Sequence, residues 1–261
     1  IGITGGRSTY TLDLIRILSK AGHSMHSIET PFTHPLYLSY LSSYVTKRHV
    51  VSCYPNDQPE KYARELGQIC GQNGLRYLIS TCEEIMWVSK FKHLITEEYR
   101  KFNSEQELII CVEDFEVMLK LHNKFAFNQL LTTLPASEQW QAPESSLLHT
   151  KSDLENYLET NYSKYVEKKQ LSDDRLDVVL KPAYSRFASN LLVRPTLNEI
   201  RNLFKNQNQK LEGGPWVAQR FIDGTMLCSY SIANKGKIQA HAVYYGGIYT
   251  SSGEPVGSSI Y

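Results

Sequence analysis

The pattern of hydrophobic and polar positions changes near residue 114 of the chain. Over the first hundred residues, short apolar runs alternate with segments whose apolar residues recur at helical spacing. This alternation of strand and helix predicts a parallel sheet built from right-handed crossovers. The predicted strands cover 1–4, 25–29 and 76–80, and the predicted helices run from Ser8 to Gly22 and over 59–70. Residues 37–55 fit neither pattern and stay unassigned.

Beyond residue 114 the pattern is first helical and then rich in strands. Helical spacing over 114–131 predicts a single helix, which an irregular, proline-containing connection follows. Alternating apolar positions further on predict strands, a short helix and a long hairpin that turns at 234–236. The strands are predicted at 178–180, 190–193 and 216–222, the helix at 196–205 and the hairpin at 227–245.

Composition indicates a globular protein whose net charge creates no strong electrostatic field. The 261 residues are 41% hydrophobic, enough for two moderate cores, and we predict domains at 1–115 and 116–261. A formal net charge of +1 favours neither nucleic acid nor an anionic membrane as a partner. Five cysteines without a CxxC pair indicate free thiols, and no apolar run is long enough to span a bilayer. We therefore expect a cytoplasmic protein.

Two apolar segments carry the most informative polar residues. Lys181 ends the run DVVLKP at 177–182, and Gln219 lies in PWVAQRFIDG at 215–224. A lysine within a Val/Leu strand is costly to remove from water unless it meets an anion, and phosphate is the anion we expect. A glutamine beside Phe221 and Ile222 can bind the edge of a flat heteroaromatic ring whose faces meet apolar groups. Together these residues predict a nucleotide site.

The turn Gly5-Gly6-Arg7-Ser8 offers a competing interpretation. Backbone N–H groups at a helix N-terminus bind phosphate, and Glu29 ends the second predicted strand, where a carboxylate could bind a ribose. This would be a Rossmann domain that binds NAD(P). The third glycine of the GxGxxG pattern is absent, however, and a tight strand-to-helix turn that needs glycine dihedrals explains the two glycines better.

Five motifs, taken in order, resemble the ATP-grasp superfamily. They resemble in particular its carboxylate-amine ligase branch, which includes the large subunit of carbamoyl-phosphate synthase. The motifs are TGGR at 4–7 with the following helix to Gly22, STCEE at 80–84, LHNK at 121–124, VVLKPAYSR at 178–186 and AQRFIDG at 218–224. The resemblance implies an α/β chain: a Rossmann-like pre-ATP-grasp domain with a parallel sheet, then an incomplete α+β ATP-grasp domain.

The resemblance also implies roles for individual residues of the second domain. Lys124 and Lys181 would contact the ATP phosphates, and Gln219 would face the adenine amino group. Arg220 and Ile222 would supply backbone contacts to the ring. The remaining implied residues are Phe221, beside the ring, and Ser185 and Arg186, in a loop that closes over the phosphates.

The implied activity joins a carboxylate to an amine or ammonia through an acyl phosphate, with ATP and Mg²⁺ as cofactors and small molecules as substrates. The acidic pair Glu83-Glu84 could bind the substrate amine or could simply favour a helix N-terminus. The family's metal ligands have no match before Tyr261. We therefore expect a chain truncated at both ends and inactive alone; a shortened, non-catalytic nucleotide-binding module is the alternative. A homodimer is left open.

Overall fold

A computed structural model describes most of the chain. The described residues are 1–31, 37–39, 41–135, 140–166, 175–185, 190–205, 211–225, 227–245, 248–249 and 255–256. The chain divides into two compact units, Ile1–Leu119 and Lys120–Ile260. Within the described ranges, no helix has the length and apolar character that crossing a membrane requires.

The first unit is built on a five-stranded sheet of Rossmann-like type. Its strand order is β3-β2-β1-β4-β5, and every neighbouring pair is parallel, so the predicted parallel sheet is confirmed. The strands are β1 (Gly2–Ile3), β2 (His26–Glu29), β3 (Lys47–Val50), β4 (Tyr77–Ile79) and β5 (Ile109–Ile110). The helices are α1 (Thr9–Lys20), α2 (Pro59–Gln72), α3 (Ile85–Lys90) and α4 (Lys92–Arg100), and α5 (Phe115–His122) reaches into the second unit.

Strand β3 lies in the segment that the sequence left unassigned. Its residues are Lys-Arg-His-Val, which pair only with β2 at the edge of the sheet, and three of the four are exposed. An edge strand with polar residues on both faces has no apolar alternation, so its sequence lacks the signal from which strands are predicted.

The second unit contains a four-stranded antiparallel sheet of order β6-β9-β7-β8. A separate hairpin, β10 with β11, turns at Lys235 and Gly236, both of which have positive φ. The strands are β6 (Ser145–Leu148), β7 (Val178–Pro182), β8 (Leu192–Val193), β9 (Trp216–Arg220), β10 (Leu227–Asn234), β11 (Lys237–Tyr245), β12 (Ile248–Tyr249) and β13 (Pro255–Val256). The helices are α6 (Lys124–Thr133), α7 (Lys151–Val166) and α8 (Leu197–Phe204).

The single helix predicted over 114–131 is wrong, because the chain breaks between α5 and α6. The side chain of Asn123 accepts hydrogen bonds from the N–H groups of Phe125 and Ala126, both at 3.0 Å, and so begins a new helix. Lys124 is the first residue of that helix, and its own N–H donates to Ala183 O at 3.1 Å. The break therefore holds the start of α6 against the end of β7.

The four-stranded sheet buries one face in the core of the second unit. Val178 and Leu180 of β7 and Ala218 of β9 are fully buried on this face, together with side chains of α7 and α8. Trp216 meets Phe204 of α8 edge to face, with ring centroids 4.9 Å apart. Because side chains alternate along a strand, the residues between these core positions lie on the opposite face.

Candidate nucleotide-binding site

Lys181 and Gln219 lie on the same face of the four-stranded sheet. Val179 is the Cα partner of Gln219, and Lys181 follows it two residues later on the same side of β7. The two side chains meet directly, since Lys181 Nζ donates a hydrogen bond to Gln219 Oε1 at 2.7 Å. Both are only partly exposed. The antiparallel register of β7 and β9 thus joins the two polar residues that the sequence singled out.

Ser145 of β6 extends this contact across a third strand. Gln219 Nε2 donates to Ser145 Oγ at 2.9 Å, and Ser145 Oγ donates to Pro143 O at 3.0 Å. Ser145 and Gln219 are Cα partners in the sheet, which places their side chains side by side. Sequence reasoning missed Ser145 because β6 was not predicted, and a lone serine carries no signal without its strand partner.

Lys124 binds the turn that follows β7. Its Nζ donates to Ser185 O at 2.6 Å, to Ser185 Oγ at 3.0 Å and to Pro182 O at 3.2 Å. All three acceptors are neutral. In the described part of the chain, neither Lys124 nor Lys181 forms an ion pair with a carboxylate. The two ammonium groups therefore keep their charge available for an anion.

Burial affects the protonation of both lysines. Removal from water lowers the pKa of Lys124 below its ordinary 10.5, and the positive charge of Lys181 lowers it further. Removal from water likewise lowers the pKa of Lys181. Two partly desolvated cations close enough to repel each other are stabilised by a shared polyanion.

Comparison with solved structures identifies the fold. Phosphoribosylglycinamide synthetase from Anaerococcus prevotii is similar over 98% of this chain and 53% of its own, with 13% identity and a TM-score of 0.50. The biotin carboxylase–β-γ-ATP complex from Campylobacter jejuni is similar over 87% of this chain and 46% of its own, with 12% identity and a TM-score of 0.52. The chain has the ATP-grasp fold.

The resemblance to ATP-grasp proteins inferred from the motifs is confirmed at the level of fold. The chain spans about half the length of each of these two solved structures. No protein-family model matches the sequence, and no curated protein does. The closer resemblance to the carbamoyl-phosphate synthase large subunit stays a prediction.

Three further predicted residues of the ATP-grasp unit lie at the end of β9. The Arg220 N–H donates to Glu144 O at 2.9 Å, and the Phe221 N–H donates to Asp177 O at 3.0 Å. Both N–H groups already donate to backbone carbonyls, so either could contact an adenine ring only if its present backbone hydrogen bond broke. Ile222 is 62% exposed beyond the last ladder bond. Arg186 lies outside the described residues.

Phe221 is positioned by a cation as well as by the sheet. The guanidinium of Arg194 lies over its ring, 5.3 Å from the centroid, and Arg194 Nε donates to Asp177 Oδ1 at 3.1 Å. One face of the ring is therefore occupied by this arginine. A purine beside Phe221 would have to use its edge or its other face.

Side chains of the protein itself pack against the glycine turn of the first unit. Gly6 N donates to Glu29 Oε2 at 3.2 Å, and the same carboxylate accepts from Ser27 Oγ at 2.6 Å and from Ser39 Oγ at 3.2 Å. A Cβ at Gly6 would overlap Ser39 and Glu29, so the glycine is required by this close approach. Burial raises the pKa of Glu29. The Glu29 carboxylate therefore already accepts the hydrogen bond from the Gly6 N–H that a dinucleotide phosphate would need.

The acidic pair after β4 is also engaged by neighbouring groups. Glu83 forms an ion pair with Arg7, and Glu84 Oε1 accepts from Thr4 Oγ1 at 2.8 Å and from Cys82 N at 3.2 Å. Ligand atoms of Cys82, Glu83 and Glu84 lie within 4.8 Å of one another, close enough to share a cation. Their present contacts stabilise the end of the parallel sheet.

Proposed function

We propose that this chain provides the nucleotide-binding part of an ATP-dependent carboxylate-amine ligase. The observation that carries the proposal is that the ammonium group of Lys181 meets the amide of Gln219 on one face of the second unit's sheet, while that of Lys124 binds the turn at the end of the same strand. Neither lysine has a carboxylate partner in the described ranges, and burial together with the nearby charge of Lys181 lowers the pKa of Lys124. A polyphosphate supplies the negative charge that both lysines lack, and the purine attached to it offers a ring edge that can hydrogen-bond to the Gln219 amide.

In this proposal each residue binds one part of ATP. Lys181 and Lys124 bind the phosphates, together with Ser185 and Arg186, and Gln219 Oε1 accepts from the adenine amino group. Apolar contact to the ring comes from the end of β9, where Phe221 and Ile222 lie. The two lysines are cations that donate only to neutral acceptors in the described part of the chain, so they suit the anionic part of ATP–Mg²⁺ and not the metal. We assign no metal ligand to this chain.

The proposed reaction has two steps. A substrate carboxylate oxygen bonds to the γ-phosphorus of ATP, the bond from that phosphorus to the β-phosphate oxygen breaks, and ADP leaves. The amine nitrogen then attacks the acyl carbon, inorganic phosphate leaves and the nitrogen loses a proton. Mg²⁺ would neutralise charge on the phosphates, while Lys124 and Lys181 hold the transferring group in place.

The test is an isothermal titration of the chain with ATP–Mg²⁺. Lys181→Met retains most of the side chain's length but removes its charge, and we expect the affinity to fall at least tenfold, because a charge-assisted hydrogen bond contributes about 1.5–3 kcal/mol. Lys237→Met in the exposed strand β11 is the matched control and should bind as the unchanged chain does. NAD is the control ligand.

Each alternative is tested by its own outcome. Binding of NAD without ATP would contradict the proposal in favour of a dinucleotide-binding Rossmann unit. ATP binding by this chain fits both the ligase and the non-catalytic nucleotide-binding module, because we expect the chain to be inactive alone; ADP release by the complete protein, with a panel of carboxylates and ammonia, would favour the ligase. Equal ATP affinity in Lys181→Met and in the unchanged chain would place the nucleotide elsewhere.

A further inference from the structure

The side-chain amide of Gln219 is fixed at both of its ends. An ammonium group can only donate, so the atom that faces Lys181 Nζ at 2.7 Å must be the amide oxygen. The amide nitrogen then faces Ser145 Oγ at 2.9 Å, and the serine proton is directed to Pro143 O at 3.0 Å. This chain of hydrogen bonds therefore assigns one of the two possible orientations to the amide.

The orientation matters for the choice of purine. An amide oxygen accepts a hydrogen bond from the 6-amino group of adenine but repels the 6-oxo group of hypoxanthine or guanine, and an amide nitrogen does the opposite. We infer that Ser145 is a positioning residue that makes the site selective for a 6-aminopurine. The inference rests on the proposed function, in which the purine edge meets Gln219.

Lys181 alone does not secure this orientation once nucleotide is bound. Phosphate oxygens attract Lys181 Nζ more strongly than a neutral amide oxygen does, and that weakens one of the two restraints on Gln219. Ser145 does not contact the phosphates in this arrangement, so its restraint persists. If the amide flipped, the serine proton would have to leave Pro143 O to meet the amide oxygen, so the Ser145–Pro143 hydrogen bond would be lost and only the one from Asn128 Nδ2, at 2.9 Å, would remain on that carbonyl.

The experiment compares the affinities for ATP and inosine triphosphate, which carries an oxo group in place of the 6-amino group. Ser145→Val removes the hydroxyl. Ser145→Thr is the matched control, because threonine has nearly the same shape as valine but keeps the hydroxyl. We expect the ratio of ATP affinity to inosine triphosphate affinity to fall about tenfold in Ser145→Val, roughly the contribution of one hydrogen bond. Ser145→Thr should retain the ratio within about twofold. Ser145→Ala repeats the test if valine prevents folding.

The outcomes separate this inference from the function on which it rests. An unchanged ratio in Ser145→Val, whether both affinities are retained or both fall equally, would overturn the inference but not the proposed function, which rests on ATP binding by the unchanged chain. A loss of the ratio in Ser145→Thr as great as in Ser145→Val would overturn it as well, because the hydroxyl would then not matter. If the unchanged chain bound neither nucleotide, both the inference and the proposed function would fall.

Discussion

At the scale of residues, the second unit holds two lysines in an unusual electrostatic state. Lys181 donates to an amide oxygen, and Lys124 donates to two carbonyl oxygens and a hydroxyl. Neutral acceptors satisfy the geometry of an ammonium group but not its charge. The pKa values of both lysines consequently lie below the ordinary 10.5, chiefly because burial disfavours the charged form.

These lowered pKa values predict that ATP binding takes up protons. A polyphosphate favours the charged lysines and raises their pKa values towards or above 10.5, so protons bind in the pH range between the free and bound values. We expect the uptake to increase as the pH is raised from neutral towards the ordinary lysine pKa of about 10.5. The measurement is the calorimetric enthalpy of ATP–Mg²⁺ binding in buffers of different ionisation enthalpy.

The matched variant for this prediction is Lys181→Met. It should take up fewer protons per ATP bound than the unchanged chain at the same pH. Proton release on binding across the same alkaline range, or uptake that is identical in the variant, would show that these lysines do not meet the phosphates.

At the scale of elements, helices α2 and α4 pack unusually closely in the first unit. Gly67 and Gly71 lie one turn apart on the face of α2 that meets α4. A Cβ at Gly67 would overlap the carbonyl oxygen of Ile95 and lie 2.7 Å from Glu98 Cβ. The missing side chains therefore let the two helix backbones approach each other.

Gly67→Ala should destabilise the first unit although alanine is the better helix former. The gain in helix propensity is up to about 1 kcal/mol, whereas overlap with a backbone atom in a packed interface costs about 1–3 kcal/mol. We expect a net loss of about 1–2 kcal/mol in the free energy of unfolding, measured by urea denaturation. Gln72→Ala, exposed on the same helix, should change it by less than about 0.5 kcal/mol. A more stable Gly67→Ala would mean that the helices can move apart freely.

Which elements could be predicted depended on how they are buried. Strands β7 and β9 lie at the centre of their sheet, and their apolar alternation is readable from sequence alone. Strands β3 and β6 lie at sheet edges and lack that pattern, so neither was predicted. The break at Asn123 escaped detection because helical spacing continues across it while the side chain caps a new helix.

At the scale of the whole molecule, the sequence predicted two units of different construction, and the fold agrees. The order of motifs supplied the ATP-grasp resemblance, which solved structures with 12–13% identity bear out as a fold. Lys124, Lys181 and Gln219 are far apart in sequence, and the structure brings them to one end of β7. Ser145 could not be predicted, since its importance depends on the register of a strand pair.

The most direct test of the central claim is hydrogen exchange, followed by mass spectrometry, of the whole chain with and without ATP–Mg²⁺. The account predicts slower exchange in residues 120–128, 178–185 and 216–225 of the second unit, and no such change with Lys181→Met. It predicts little change at 5–8 and 26–29, where Glu29 already occupies the glycine turn. Protection confined to 5–8 and 26–29 would contradict it and place the nucleotide on the Rossmann-like unit.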